Sequence, residues 1–209
     1  MRRSVKRYIG KSRLGCKRGG RIDTWGIMDV SSPSVAVEAA PLPILIMPHP
    51  SLKAKARKLL PADREVAAKL IPRMFAAMYK APGIGLAAPQ VGSLLRLVVI
   101  DLMEKDARHP MVLINPEIIA ASKELATREE GCLSLPGQYA DVTRPAQVKV
   151  RYEDIAGIRH EIEGDGLLAT CLQHEIDHLD GVLFVDHISA LKRNMILRKV
   201  AKEQRLKAL

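Results

Sequence analysis

The segment with the most chemistry in it is His174-Glu175-Ile176-Asp177-His178. On a helix, residues i and i+4 share a face, so the two imidazoles can grip one metal ion. Glu175 follows His174 directly and falls beside such an ion, where a general base would act on water that the metal activates. The competing reading is a chance pattern on a solvated helix. Leu168, Leu172 and Leu179 flank the motif and predict a buried helix instead. A buried helix that carries two histidines and two acids needs a reason for them.

Two histidines do not complete a site, because a catalytic metal usually has three protein ligands plus water. Cys171 shares the face of His174 but lies about 10 Å along the axis from His178, too far for one ion to reach all three from one helix. It reads better as a wall residue near the metal. Cys132, in Glu130-Gly131-Cys132-Leu133-Ser134, arrives from a separate segment and is the better candidate. Its plainer reading is a buried structural thiol.

A third stretch runs Gly83-Ile84-Gly85-Leu86-Ala87-Ala88-Pro89-Gln90. Two glycines and two alanines leave little side chain, so another chain can approach the backbone closely. The stretch lacks the Lys and Ser/Thr of a phosphate-binding loop and is not a dinucleotide fingerprint. Alone it reads as a tight turn after a helix.

The elements that must position these residues follow from patterning. Residues 62–80 read as a helix: Val66, Leu70, Met74 and Met78 recur every four residues, with Ile71 and Phe75 widening the stripe. Pro72 inside that stretch predicts a kink or a break. Arg96–Asp101, Met111–Asn115 and Ala146–Glu153 read as strands, and His160–Glu163 returns after a turn at Asp154–Gly157. A second helix covers about Leu167–Leu179 and ends at Gly181. A third spans about Ala190–Lys207, with Leu191, Met195 and Val200 facing the body and Ile196 and Leu197 widening the stripe. Strands and helices without a regular alternation predict an α+β fold: small antiparallel sheets around a central metal-binding helix, with a C-terminal amphipathic helix.

The chain has 209 residues, 47% hydrophobic and 27% charged, enough for one domain with a sizeable core. Aromatics are only 3%, so the core must be aliphatic. Three scattered cysteines predict a reducing compartment and no disulfide framework. No apolar run is long enough to span a membrane. The net charge of +10 sits at the ends: nine Lys/Arg and no acid in residues 1–21, seven Lys/Arg and one acid in 192–209. The remaining stretch holds 17 basic and 22 acidic residues, which argues against a DNA- or RNA-binding body. Residues 1–40 lack the apolar core of a secretory signal and carry Gly10, Gly15, Gly19 and Gly20, which break a transit-type helix. They read as a disordered basic extension, which a start at Met28 or Met47 would remove. The compact body enters near Leu42 with an extended LPILIMPHP, so 41–209 reads as one catalytic domain that includes the basic C-terminal helix.

GIGLAAPQ, EGCLS and HEIDH, in that order, resemble the three motifs of peptide deformylases, and the similarity runs from about Leu42 to Lys207. The resemblance implies hydrolysis of the formyl group from the N-terminal formyl-methionine of new polypeptides, with release of formate. It implies that Cys132, His174 and His178 hold a divalent metal, with Glu175 as the acid/base. Gln90 and the backbone N–H of Leu133 would donate to the oxyanion. Fe²⁺ is the metal it implies first, with Zn²⁺, Ni²⁺ or Co²⁺ able to occupy the site. Cys171 would line the methionine pocket, and the substrate backbone would lie along Ile84 and Gly85 as an added strand. Nascent formyl-methionyl peptides are the implied partners, in the cytoplasm, with a ribosome contact through the C-terminal helix and no DNA or membrane partner. Two competing functions are an HExxH zinc endopeptidase and an RNA- or ribosome-binding protein with an incidental metal site.

Overall fold

A computed structural model describes residues 39–103 and 107–207. The basic extension expected over residues 1–40 lies almost wholly outside the described residues.

Helix α1 (Arg64–Lys80) is preceded by a 3-10 turn at Pro61–Asp63 and runs unbroken through Pro72. It buries Ala67, Ile71, Met74, Phe75 and Met78 against the sheet, and this packing outweighs the single hydrogen bond that the proline forfeits. Val66 departs from the expected stripe: it is exposed, because the helix turns the 67/71/74/78 face inward.

The main sheet is antiparallel with strand order β1-β2-β3-β6-β7. Its strands are β1 (Gly85–Ala87), β2 (Leu97–Ile100), β3 (Met111–Ala121), β6 (Gln147–Glu153) and β7 (Arg159–Asp165). A separate hairpin pairs β4 (Leu125–Cys132) with β5 (Leu135–Pro145). LPILIMPHP is extended without joining either sheet as a strand. Its amides still tie to the fold, from Leu45 to the Gln90 carbonyl (2.8 Å) and from Met47 to that of Ser134 (3.1 Å).

Helix α2 (Gly166–Leu179) packs on the sheet and carries the HEIDH segment. It is buried nearly all round, through Ala169, Leu172, Ile176 and Leu179 among others. Its end is set by sequence. Gly181 takes a positive φ of 74°, and the amides of Gly181 and Val182 return to the carbonyls of His178 (3.3 Å) and Asp177 (2.9 Å). That pairing closes a helix with a left-handed residue, which glycine adopts without strain. Helix α3 (Ala190–Lys207) follows a 3-10 turn at Phe184–His187.

Helix α3 corrects one expectation. Val200 is buried, with Ile196 and Leu197 packed beside it against Leu135, Val142 and Phe184. Leu191 and Met195 face solvent, at 73% and 63% exposure. The helix docks by its later turns, so the inward stripe runs 196/197/200 and leaves 191 and 195 on the outer side. Among the described residues no helix is long and apolar enough to cross a membrane.

Candidate metal centre and cavity

A cavity of about 480 Å³ opens between the glycine-rich stretch, the β4–β5 hairpin and α2. Its lining includes Ile84, Gly85, Gln90, Cys132, Leu133, Cys171, His174 and Glu175. His178 is 1% exposed and lies behind His174, with the two rings 5.1 Å apart edge to face. Every residue singled out from sequence therefore lies in or directly behind one pocket.

Donor atoms of Cys132, His174 and His178 fall within 4.8 Å of one another. The Cys132 Sγ is 3.2 Å from His178 Nε2. Cys132 reaches this place because the β4–β5 register shifts between Gly131 and Cys132, and such an irregularity re-aims a side chain. The structure leaves Cys171 out of the ligand cluster. Its thiol is buried beside Gly85, and burial raises its pKa, followed by the charges of Glu175 and Glu130.

The electrostatics suit a cation. Burial lowers the pKa of His174, yet its hydrogen bonds to Cys132 and Glu130 outweigh that and raise the imidazole well above its usual range; a metal ion at Nε2 would take the place of that proton. Burial, then the charge of His174, pushes the His178 imidazole well below its usual range. Glu175 is pushed up to about 7, mainly by burial, and its Oε2 is buried without a hydrogen-bond partner among the described residues. A thiol and two imidazoles with donor atoms within 4.8 Å of one another, on a site whose helix also carries the orphaned Glu175 oxygen, fit a divalent transition metal.

Glycine identities follow from close approach. A Cβ at residue 85 would sit 2.9 Å from Cys171 Sγ and closer still to the Glu175 carboxylate. A Cβ at residue 83 would sit 2.7 Å from a Leu133 methyl. The Gln90 side-chain oxygen accepts from the Ala87 amide (2.8 Å), which turns its NH₂ toward Ser134 Oγ (3.2 Å) and Cys132 Sγ (3.5 Å).

Glu130 is a site residue that the sequence reading passed over. Its Oε2 accepts from His174 Nδ1 at 2.9 Å, which fixes the ring's tautomer and leaves Nε2 free to ligate. Burial would raise the Glu130 carboxyl, but the His174 and Arg144 hydrogen bonds outweigh it and hold it at about 2. The neighbouring cysteine hid this role, since an acid beside a candidate ligand is not distinctive by itself.

The fold is α+β, and its site gathers one thiol and two imidazoles that could hold a metal ion, the arrangement of a metal-dependent hydrolase class. The polypeptide deformylase family model matches residues 41–194, and the chain belongs to that family. The peptide deformylase of Agrobacterium fabrum is 51% identical over 166 residues, covering 79% of this chain and 97% of the relative. That of Zymomonas mobilis is 50% identical over 171 residues, covering 79% and 96%. The crystal structure of the Legionella pneumophila peptide deformylase aligns with a TM-score of 0.74 at 47% identity, covering 81% of this chain and 98% of that one. That of Synechococcus elongatus, in complex with actinonin, aligns with a TM-score of 0.71 at 45% identity, covering 78% and 89%. These findings set aside the endopeptidase alternative: the chain is a hydrolytic enzyme of the deformylase family.

Proposed function

We propose that this chain hydrolyses the N-formyl group of formyl-methionine at the start of nascent polypeptides and releases formate. The observation that carries the reading is the meeting of Cys132, His174 and His178 with Glu175 and Gln90 around one cavity. Cys132, His174 and His178 would hold the metal. When bound, the metal makes water acidic enough to lose a proton near neutral pH and polarises a carbonyl.

The chain's own residues do the rest. Glu175 accepts the proton of the attacking water and later delivers it to the departing amine nitrogen, as the bond between formyl carbon and nitrogen breaks. The raised pKa of its carboxyl suits a group that must both take and give a proton. Gln90 Nε2 and the Leu133 amide donate to the formyl oxygen as it gains charge, each such donor worth about 3–4 kcal/mol in a dry site. Small residues over 83–88 leave room for the substrate backbone beside Ile84 and Gly85, at the free edge of β1. Cys171 forms the pocket wall next to the methionine side chain.

We assign Fe²⁺ as the native metal; a soft thiolate with two imidazoles accommodates Zn²⁺, Ni²⁺ or Co²⁺ as well. Fe²⁺ beside a thiolate is open to oxidation and Zn²⁺ has no redox chemistry, so the iron form should lose activity in air while the zinc form keeps it. Timed assays in air and under argon check this. Residues 41–209 form the catalytic domain in this reading, and the cytoplasm is its compartment. Exposed Lys192, Arg198, Lys199, Lys202 and Arg205 on α3 support a ribosome contact near the source of formylated chains.

The test is formate release from a formyl-methionyl peptide against cleavage of the unformylated peptide. Wild-type protein should act on the first alone. Glu175→Gln should keep fold and metal and lose at least about 10²-fold in turnover. Wild-type turnover by that variant would overturn the mechanism.

A further inference from the structure

Glu130 and Arg144 are 4% and 6% exposed. An ion pair so placed is a poor source of stability, because desolvating both charges can cost more than their attraction returns. Its geometry offers another reason to keep it. Arg144 donates from Nε to Glu130 Oε1 (2.6 Å), from Nη2 to Glu130 Oε2 (3.0 Å) and from Nη1 to Asp177 Oδ2 (2.7 Å). All three of its nitrogens are engaged. The same Asp177 oxygen lies 2.7 Å from His187 Nε2. Beside Arg144 the Asp177 carboxylate is the acceptor, which assigns the His187 proton to Nε2 as donor, although Arg144 Nη1 also lies 3.5 Å from that nitrogen.

A directional chain results. It begins at exposed His187, in the turn before α3. It passes through Asp177 on α2, Arg144 on β5 and Glu130 on β4, and ends at Nδ1 of His174. Three further elements, the turn before α3, β5 and β4, are thereby tied to one imidazole of α2. The Asp177 side chain is 25% exposed and can turn to water when its second donor is lost. Arg144 Nη1 would then lose its anchor, and the fork that fixes Glu130 would loosen.

We propose that His187 is a positioning residue for the metal centre, acting through Asp177 and Arg144 to keep Glu130, and so the His174 ring, in the ligating orientation. His187 is absent from the cavity lining and from the ligand cluster. The proposal rests on the reading of Cys132, His174 and His178 as ligands.

The experiment compares Co²⁺-loaded wild type with His187→Ala, His187→Gln, Asp177→Asn and Cys132→Ala. It measures cobalt release to a chelator, the thiolate-to-cobalt absorption band, Tm, and kcat and KM on a formyl-methionyl peptide. His187→Ala should melt near wild type yet release cobalt about 10-fold faster, the low end for outer partners of metal ligands. Its band should shift, and kcat should fall while KM holds. Asp177→Asn should move the same way. His187→Gln, whose amide N–H can reach the same carboxylate, should restore release rate and band. A His187→Ala protein with wild-type release and band overturns the proposal, as do Ala and Gln variants equally impaired. Cobalt retained by Cys132→Ala as by wild type overturns the ligand reading and the proposal with it.

Discussion

Helices α2 and α3 follow one another in the chain and live in opposite surroundings. Over Gly166–Leu179, α2 buries Gln173, His174, Glu175 and His178 among its apolar residues. Over Ala190–Lys207, α3 buries Val200 and leaves Lys192, Arg198, Lys199, Lys202 and Arg205 in solvent, where none forms an ion pair among the described residues. The difference teaches where polar groups carry information. Inside, each must be held or must hold something. Gln173 Nε2 donates to the carbonyls of Ala169 (2.9 Å) and Pro145 (3.1 Å), and His174 donates to Glu130, while Glu175 Oε2 has no hydrogen-bond partner among the described residues. Outside, charge costs little and specifies little, so its meaning depends on a partner.

The comparison can be broken most forcefully at the ligands. Cys132→Ala should abolish tight metal binding, and activity with it, whereas Cys171→Ala should keep its metal and only reshape the pocket wall. Elemental analysis of the two purified variants decides it, and equal loss in both would overturn the assignment. A smaller effect separates the helices by packing. Leu172→Ala, at a fully buried position of α2, should destabilise by about 2–5 kcal/mol, and Leu191→Ala on α3 by less than about 0.5 kcal/mol. Urea unfolding measures both, and similar costs would show that Leu191 is packed and not solvent-facing. The smallest effect on chemistry belongs to the α3 surface. Lys199→Glu with Lys202→Glu should leave turnover of a short formyl peptide unchanged while weakening co-sedimentation with ribosomes at low salt. Phosphate contacts dominate such binding and fade as salt rises. Undiminished co-sedimentation would remove α3 from the contact.

Much of the site was legible in sequence because its chemistry is local. His174, Glu175 and His178 lie on one helical stretch, and Cys132 and Gln90 lie in short motifs of distinctive composition. Helix α3 was legible over its full span, Ala190–Lys207, and the α2 terminus through Gly181. What escaped was set by tertiary contact. The β4–β5 hairpin was missed because β4 is largely exposed and shows little apolar alternation. The far half of β3 was hidden by Asn115-Pro116, where a positive φ at Asn115 and a register shift carry the strand past a proline. The chain from His187 to His174 draws on four elements, and no spacing in the sequence announces it. The inward stripe of α3 was misjudged at Leu191 and Met195 because periodicity gives the faces of a helix and docking chooses among its turns.

The central claim is that Cys132, His174 and His178 bind one metal ion together. X-ray absorption on the zinc-loaded protein tests it most directly. The account predicts one sulfur at about 2.3 Å and two imidazole nitrogens at about 2.0–2.1 Å, with the sulfur lost in Cys132→Ala. A first shell of nitrogen and oxygen alone in the wild-type protein would contradict it.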